Sequence, residues 1–306
     1  MVNTPVLYMT FSRPDYARRT FDAIKAAKPK ILYFYSNKAR IDRPEEIKKN
    51  NEIRNYLNEI DWECDLHIWL RDEYVDVYTS LLSAKKWAFE KENSLIMLEE
   101  DCLASLAFFQ FCDYFLEKYK NDKRINYICG NNYALGYEEK GVDHYITRTI
   151  HHHGWATWKD RWESIDWRIL PEDIINNGAL KKYFKDVLPR YFYFKRYYLH
   201  ETEFIKKTGC WDYIKVLNQI SKQQYAITPI MNLVQNVGIS GVHESGDIKL
   251  QFTVGNNSDI EKYPFTGGKE VTIPNRKYDV CESRTEGLQI SFWHYYLSCI
   301  YHFFKK

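Results

Sequence analysis

Residues Ser94 to Asp101 read SLIMLEED, a continuous apolar run that ends in three carboxylates. Continuous rather than alternating apolarity is typical of a strand covered on both faces. In open α/β sheets, ligands bind beyond the carboxyl ends of such strands. Three successive carboxylates repel one another, and a bound cation offsets that repulsion. The triplet is therefore a candidate site, although a solvated acidic turn would also explain an isolated triplet.

The segments around this stretch alternate between strand and helix patterns. The helix that opens with Pro44-Glu45-Glu46 suits the helix dipole, with proline in the first turn followed by acids. The first 130 residues predict the order βαβαβαβαβ, and hence an α/β fold with an open, mainly parallel sheet flanked by helices. The predicted strands are 5–11, 31–35, 62–70, 94–98 and 125–129.

The C-terminal half is predicted to be rich in loops. Aromatic loops are expected at 145–167, and helices at about 171–187 and 211–223. Residues 246–287 hold five of the 13 glycines, which favours an extended surface tail. We divide the chain into a domain of residues 1–250 and a C-terminal extension, 251–306, that ends in an aromatic amphipathic helix from Leu288 to Phe304.

Composition excludes several classes of protein. The 43 basic and 41 acidic residues nearly cancel, which argues against a nucleic-acid-binding protein, and 17% aromatic residues argue against disorder. Seven cysteines without a CxxC pair argue against a disulfide framework or zinc knuckle. We expect a cytoplasmic protein, since no signal-peptide pattern follows Met1 and no apolar run could span a bilayer. Dehydrogenase, kinase and α/β-hydrolase motifs are absent from the sequence.

Residues 97–111, MLEEDCLASLAFFQF, resemble the acidic-motif segment of glycosyltransferases with the GT-A fold. The similarity is greatest to N-acetylglucosaminyltransferase I-like enzymes and their bacterial, hemolytic-protein-like relatives. It covers about residues 5–245. The other matching segments, in the family's order, are VLYMTFSRP, CGNNYALG, HHHGWATWKDRW, CWDY and ITPIMNLVQNVGISGVH.

The resemblance assigns roles at the acidic triplet. It implies that Asp101 holds a divalent ion, Mn²⁺ or Mg²⁺, that bridges the donor's diphosphate, and that Glu100 contacts the ribose. The family more often has Asp at the position of Glu100. Glu99 is included among the donor contacts. His243 lies where many of these enzymes bring a late histidine to the metal or diphosphate, although a lone histidine after a glycine is more often simply exposed.

Further nucleotide contacts are implied at the first two strand ends. Arg13 matches an arginine that contacts the nucleotide, and the donor fork of a guanidinium suits phosphate or ribose oxygens. A surface arginine before a proline turn is the alternative. Asn37 stands where the family usually places Asp against the uracil ring, and an amide both donates and accepts.

The segment CWDY matches the one that carries the family's catalytic base, which implies that role for Asp212. Two flanking aromatic residues would partly desolvate the carboxylate, which suits a base that accepts the proton of a hydroxyl. Helix N-capping is the alternative role. Trp155 and Trp211 are candidates for sugar contacts or for the core. Asn131 and Asn132 suit sugar hydroxyls or an ordinary turn, and consecutive residues 151–153, all histidine, would point to alternate faces of a strand and cannot share one ion.

Together these features predict a metal-dependent glycosyltransferase. We expect it to move a hexosyl or N-acetylhexosaminyl group from a UDP-sugar to a hydroxyl of a glycan or lipid-linked glycan, with inversion, in bacterial surface polysaccharide assembly. Two rivals stay open: a catalytically inactive sugar- or nucleotide-binding protein, and a nucleotidyltransferase, although SRPDYARR lacks the glycines of a phosphate loop. The aromatic helix, Leu288 to Phe304, either packs on the domain or lies at the inner face of the cytoplasmic membrane.

Overall fold

The computed structural model describes residues 2–134, 136–238 and 269–286. In these residues a central sheet has the strand order β3-β2-β1-β4-β8-β6-β9-β7, and a separate two-stranded ribbon pairs β10 with β5. The strands are β1 Val6–Thr10, β2 Ile31–Ser36, β3 Asp65–Leu70, β4 Ser94–Glu99, β5 Cys102–Ala104, β6 Ile125–Cys129, β7 His144–Thr147, β8 Trp155–Trp158, β9 Tyr225–Pro229 and β10 Val234–Asn236.

Helices connect these strands and cover both faces of the sheet. They are α1 Pro14–Ala27, α2 Pro44–Arg54, α3 Val77–Lys91, α4 Leu106–Lys118, α5 Lys159–Glu163, α6 Pro171–Asn176, α7 Ala179–Tyr183, α8 Val187–Tyr193, α9 Thr202–Thr208, α10 Trp211–Lys222 and α11 Arg276–Glu286. A 3-10 turn, Asn55–Glu59, follows α2, and a π-helical segment, Phe194–His200, follows α8.

The sheet is open and mainly parallel, as predicted. Strands β1, β2, β3, β4, β6 and β9 run in one direction, and β7 and β8 run in the other. All five residues of β1 are buried, because Val6 and Tyr8 pack in the core on one face of the sheet while Leu7 and Met9 pack on the other. This two-sided burial explains why the strands of the first half are continuously apolar.

Several predictions for the middle of the chain were wrong. Antiparallel β8, which the sequence analysis did not predict as a strand, lies between β4 and β6. The predicted aromatic loops at 145–167 contain most of β7, all of β8 and α5. The helix predicted at 171–187 is interrupted. Gly178, with a left-handed φ of +73°, lies between the end of α6 and the start of α7. The helix predicted at 211–223 is confirmed as α10.

The predicted extended tail is wrong for residues 276–286, which form helix α11 against the sheet. The OH group of Tyr278 donates to Oδ1 of Asn132 at 3.0 Å. Arg148 Nη1 lies 2.8 Å from Oδ2 of the buried Asp279. The domain boundary at residue 250 stays a prediction, since it falls outside the described residues.

The predicted aromatic helix, Leu288 to Phe304, and His243 also lie outside the described residues. Among the helices that the structure describes, none combines the length and the apolar character needed to cross a lipid bilayer.

Candidate functional site

Glu100 directly follows β4 and is held by residues of the loop after β1 and of α1. Its carboxylate accepts from the backbone N–H of Phe11 through Oε2 at 2.7 Å, and its Oε1 lies 2.7 Å from Nε of Arg13. The hydroxyl of Thr20 donates to the backbone oxygen of Glu100 at 3.0 Å. With the residue 3% exposed, a charged carboxylate here depends on these partners.

Arg13 joins Glu100 to Asp101. Its Nη2 lies 3.0 Å from Oδ2 of Asp101, and its side chain is about one-third exposed. Although burial opposes it, the two carboxylates raise the pKa of Arg13 above its usual range, so the guanidinium stays charged. The structure thus brings together Arg13, Glu100 and Asp101 at the carboxyl ends of β1 and β4. The alternative of an isolated surface arginine does not describe this position.

Gly238, two residues after β10, lies against Asp101 and Arg13. A Cβ atom at this position would lie 2.6 Å from Oδ2 of Asp101 and 3.0 Å from Nη1 of Arg13. The backbone N–H of Gly238 donates to Oδ1 of Asn236 at 2.8 Å, and Nδ2 of Asn236 donates to Nδ1 of His153 at 2.8 Å. The chain after β10 therefore approaches Asp101 as closely as a residue without a side chain allows.

The described residues do not form a complete metal centre by themselves. In 2–134, 136–238 and 269–286, no group of three or more His, Cys, Asp or Glu side chains is arranged to hold an ion. Asp101 has one oxygen paired with Arg13 and the other 3.7 Å from the thiol of Cys102. A single carboxylate fits a hard cation that takes its remaining ligands from water and substrate phosphates. Asp101 meets that condition, and His243 is not described.

Asp212 lies on the first turn of α10 and does not cap it. The N-cap residue is Cys210, and Oδ1 of Asp212 accepts from the backbone N–H of Tyr213 at 3.0 Å. The charge of Asp212 acts on Glu99, on Lys85 and on His153, and the charge of Asp101 acts on Glu99 and His153 as well. The two aspartates therefore face one region of the sheet edge.

Three aromatic rings, one each from β6, β8 and α10, form a stack. Trp155 stacks on Tyr127 with ring centres 4.6 Å apart and on Trp211 with ring centres 5.5 Å apart. Trp155 is 1% exposed and Trp211 is 4% exposed. Both tryptophans belong to the core under the site, so they offer little surface to a sugar ring. Their predicted role as sugar contacts stays a prediction.

Two buried lysines flank this stack, and the sequence analysis missed both. Lys85 Nζ lies 3.6 Å from the ring centre of Trp211 and has no hydrogen-bond partner among the described residues. Lys215 Nζ lies 5.0 Å from the ring centre of Tyr127. Burial lowers the pKa of Lys215 to about 7 and also lowers that of Lys85, which the charge of Glu99 opposes. Burial raises the pKa of Glu99.

A signal for Lys85 was available in the sequence. It occupies the inner stripe of α3, next to the buried Ala84 and three residues before the buried Ala88. A lysine on an apolar stripe is unusual, because lysine is almost never fully buried without a reason. Lys215 is likewise buried on α10, between the buried Ile214 and Val216.

The predicted asparagine contacts have structural roles in the described chain. Asn37 donates from Nδ2 to the backbone oxygen of Val75 at 2.8 Å and accepts from the backbone N–H of Lys38 at 3.0 Å. Asn132 donates to the backbone oxygen of Pro229 at 3.0 Å. Asn131 donates to the oxygen of Val234 at 2.7 Å, while its Oδ1 is buried without a partner among the described residues. Their contacts with a base or a sugar stay predictions.

The three consecutive histidines point to different partners. His151 Nε2 lies 2.6 Å from Oε1 of Glu282, His152 Nδ1 lies 2.8 Å from the OH group of Tyr127, and His153 contacts Asn236. The expectation that they do not share one ion agrees with this geometry. Burial lowers the pKa of His153, opposed by the charge of Asp101. Through Asn236, which also accepts from the backbone N–H of Gly238, His153 is linked to the chain that lies against Asp101.

Comparisons with known proteins give a distant likeness in fold. No protein-family model and no curated protein sequence matches the chain. The mannosyltransferase PcManGT from Pyrobaculum calidifontis, solved in complex with GDP-Man and Mn²⁺, is similar with a TM-score of 0.36 and 12% identity, over 60% of this chain and 52% of that one. S. aureus TarS 1–349 is similar with a TM-score of 0.35 and 8% identity, over 56% of this chain and 51% of that one.

The chain thus spans about half the length of each of these structures. A likeness at this level concerns the fold alone.

Proposed function

We propose that this protein is a GT-A-type glycosyltransferase that moves a sugar from a nucleotide-diphosphate donor to a hydroxyl of a glycan acceptor. The observation that carries the proposal is the group formed by Arg13, Glu100 and Asp101, at the sheet edge where α/β proteins bind ligands. The resemblance of residues 97–111 to the family's acidic motif supports it independently.

In this proposal the donor diphosphate lies beside Arg13 and Asp101. A Mn²⁺ or Mg²⁺ ion held by Asp101 would neutralise the leaving diphosphate. Arg13 keeps its charge between two carboxylates, and its one-third exposed side chain can donate to a phosphate or ribose oxygen. Glu100 is bonded on both oxygens, so its function is to orient Arg13, and its proposed ribose contact would require one of those bonds to open.

Asp212 is the proposed base that accepts the proton of the attacking hydroxyl. Its position is supported by electrostatics, because the charges of Asp212 and Asp101 both act on Glu99 and His153. The carboxylate is partly buried, and its Oδ2 is not used by any hydrogen bond of the described residues. Inversion belongs to the same proposal and would require Asp212 to approach the sugar from the side opposite the diphosphate.

The hexosyl or N-acetylhexosaminyl identity of the sugar, the UDP group and the bacterial polysaccharide pathway are parts of the same proposal. A cytoplasmic location and contact of Leu288 to Phe304 with the membrane also belong to it. The inactive binding protein stays as the rival, because Glu100 and Asn37, which differ from the family pattern, both have structural bonds here.

A panel of nucleotide sugars tests the proposal. Each is added to the protein with and without Mn²⁺, and the melting temperature is recorded, since a ligand that binds only the folded state stabilises it by mass action. We expect one nucleotide class to raise the melting temperature only with the metal, and slow release of free nucleotide from that donor. Stabilisation without any release would favour the inactive binding protein. No response to any nucleotide sugar would contradict the proposal.

A further inference from the structure

Residues 187–200, which comprise α8 and the π-helical segment after it, form one helical stretch with apolar side chains on both sides. On the inner side Pro189, Tyr193 and Tyr197 are buried at a spacing of four residues. On the outer side Val187 is 50% exposed, Tyr198 36% and Leu199 44%. A surface helix ordinarily presents polar residues to water, so this outer side resembles an interface.

Positive charge is concentrated in the same stretch of the chain. Residues 181–200 contain six Lys or Arg and a single acid, whereas the whole chain has a net charge of +2. That acid, Asp186, is already paired with Arg276 of α11 at 2.7 Å. Exposed lysines at 181, 182 and 185 therefore precede the exposed Val187 with no free counter-charge in their own segment.

We propose that the outer side of helix 187–200, together with Lys181, Lys182 and Lys185, docks on an anionic lipid bilayer. Aliphatic and aromatic groups that flank lysines fit the two layers of a membrane surface, with the apolar groups among the acyl chains and the ammonium groups at the lipid phosphates. A nucleic acid would account for the lysines but not for the exposed Val187 and Leu199. This surface is separate from the segment Leu288 to Phe304.

The helix that carries the docking surface packs, through its inner side, against the residue that follows the proposed base. Tyr197, on the inner side of the helix, contacts Tyr213 edge to face with ring centres 5.3 Å apart, and Tyr213 follows Asp212 in the chain. If the proposed transfer function holds, a bilayer at this surface would bring lipid-linked acceptors to the helix whose inner side packs beside Asp212. The docking itself does not depend on that function, and its test uses no substrate.

Vesicle flotation of the full-length protein tests the docking. Vesicles of phosphatidylcholine alone are compared with vesicles that also contain phosphatidylglycerol, at low and at high salt. We expect binding only to the anionic vesicles, with loss of most binding at about 1 M salt, where screening shortens the range of the charges. The triple variant Lys181→Gln, Lys182→Gln, Lys185→Gln should lose about fivefold per lysine, or on the order of 100-fold in partition coefficient.

A matched control replaces three exposed lysines elsewhere, Lys30, Lys48 and Lys49, with Gln and should bind like the wild type. A second variant, Val187→Ser with Leu199→Ser, should weaken binding roughly tenfold while leaving the melting temperature nearly unchanged, since both residues are exposed. Equal losses in the two lysine triplets would overturn the proposal, because they would indicate non-specific charge attraction.

Three other outcomes would also overturn it. The first is a wild type that stays away from anionic vesicles. The second is full release of bound protein by a small excess of RNA, which would indicate a nucleic-acid surface. The third is binding that survives the substitutions in 181–199 but disappears in the full-length variant Phe292→Ser, Trp293→Ser, which would assign the contact to the C-terminal segment.

Discussion

Arg13 Nε and Glu100 Oε1 lie 2.7 Å apart, and this ion pair connects the loop after β1 to the end of β4. The second oxygen of Glu100 accepts from the backbone of Phe11, so the carboxylate determines where Arg13 can lie. Arg13 in turn reaches Asp101. A residue far along the chain thereby positions the one guanidinium that the proposed donor site uses.

Asp101→Ala should weaken donor binding and remove its dependence on Mn²⁺. In the proposed site this carboxylate binds the cation and, through it, the diphosphate. Loss of a charged interaction of this kind typically lowers affinity roughly 10- to 100-fold. Calorimetry with and without Mn²⁺ measures the change, and Asp42→Ala on an exposed turn is the control. Unchanged donor affinity in the Asp101 variant would contradict the assignment of Asp101 as a metal ligand.

Gly238→Ala should disturb the same group without removing a ligand. The new methyl group would lie 2.6 Å from Oδ2 of Asp101, so either the carboxylate or the chain after β10 must move. We expect roughly a tenfold loss of donor affinity and a change of at most a few degrees in melting temperature. Wild-type affinity would mean that the chain at Gly238 moves away freely.

Asp212→Asn should keep donor binding and lose transfer. An amide preserves the shape of the side chain but does not accept a proton, and removal of a general base typically lowers the rate by about 10² to 10⁴. Once an acceptor is found, the rate and the donor affinity are measured on the same preparation. Transfer near the wild-type rate would leave Asp212 with a structural role in the first turn of α10.

Lys215→Met should change how stability depends on pH. The unfolded lysine holds its proton up to about pH 10.4, whereas burial lowers the folded pKa to about 7. The unfolded state therefore binds more protons between these values, and the free energy of unfolding of the wild type should rise with pH across this window.

Urea unfolding at several pH values measures that rise. Methionine should flatten it by up to a few kcal/mol, at about 1.4 kcal/mol for each unit of pKa difference. The exposed Lys86→Met is the control and should leave the slope unchanged. Equal slopes for wild type and Lys215→Met would show that Lys215 stays protonated in the folded protein.

Arg148→Met should destabilise the protein through α11. It leaves Asp279, 2% exposed, without its ion-pair partner, and breaking a buried pair on one side typically costs about 3–5 kcal/mol. The double variant with Asp279→Asn should lose less than the sum of the two single variants. Strictly additive losses, measured by urea unfolding above the pKa of Asp279, would mean that the two side chains do not interact.

The sequence predicted the first half of the chain well because local pattern and tertiary role agree there. Strands such as 94–98 are covered on both faces, so their apolar character is continuous and easy to recognise. The second half differs, since Trp155 to Trp158 form a four-residue strand whose aromatic side chains look like a loop or a core in isolation. Its antiparallel position between β4 and β6 depends on which distant strands have free edges.

By itself, the sequence determined the carboxylates at the end of β4, the arginine after β1 and the aspartate at the start of α10. The carboxylates follow from a local change from apolar to charged residues, whereas Arg13 and Asp212 were recognised from the resemblance of VLYMTFSRP and CWDY to segments of a known family. Only the tertiary structure decided that Glu100 is used to hold Arg13, that Trp155 and Trp211 are buried, and that Lys85 and Lys215 lie beneath the site. The physical reason is that burial and electrostatic partnership depend on distances between segments remote in sequence, which no local pattern records.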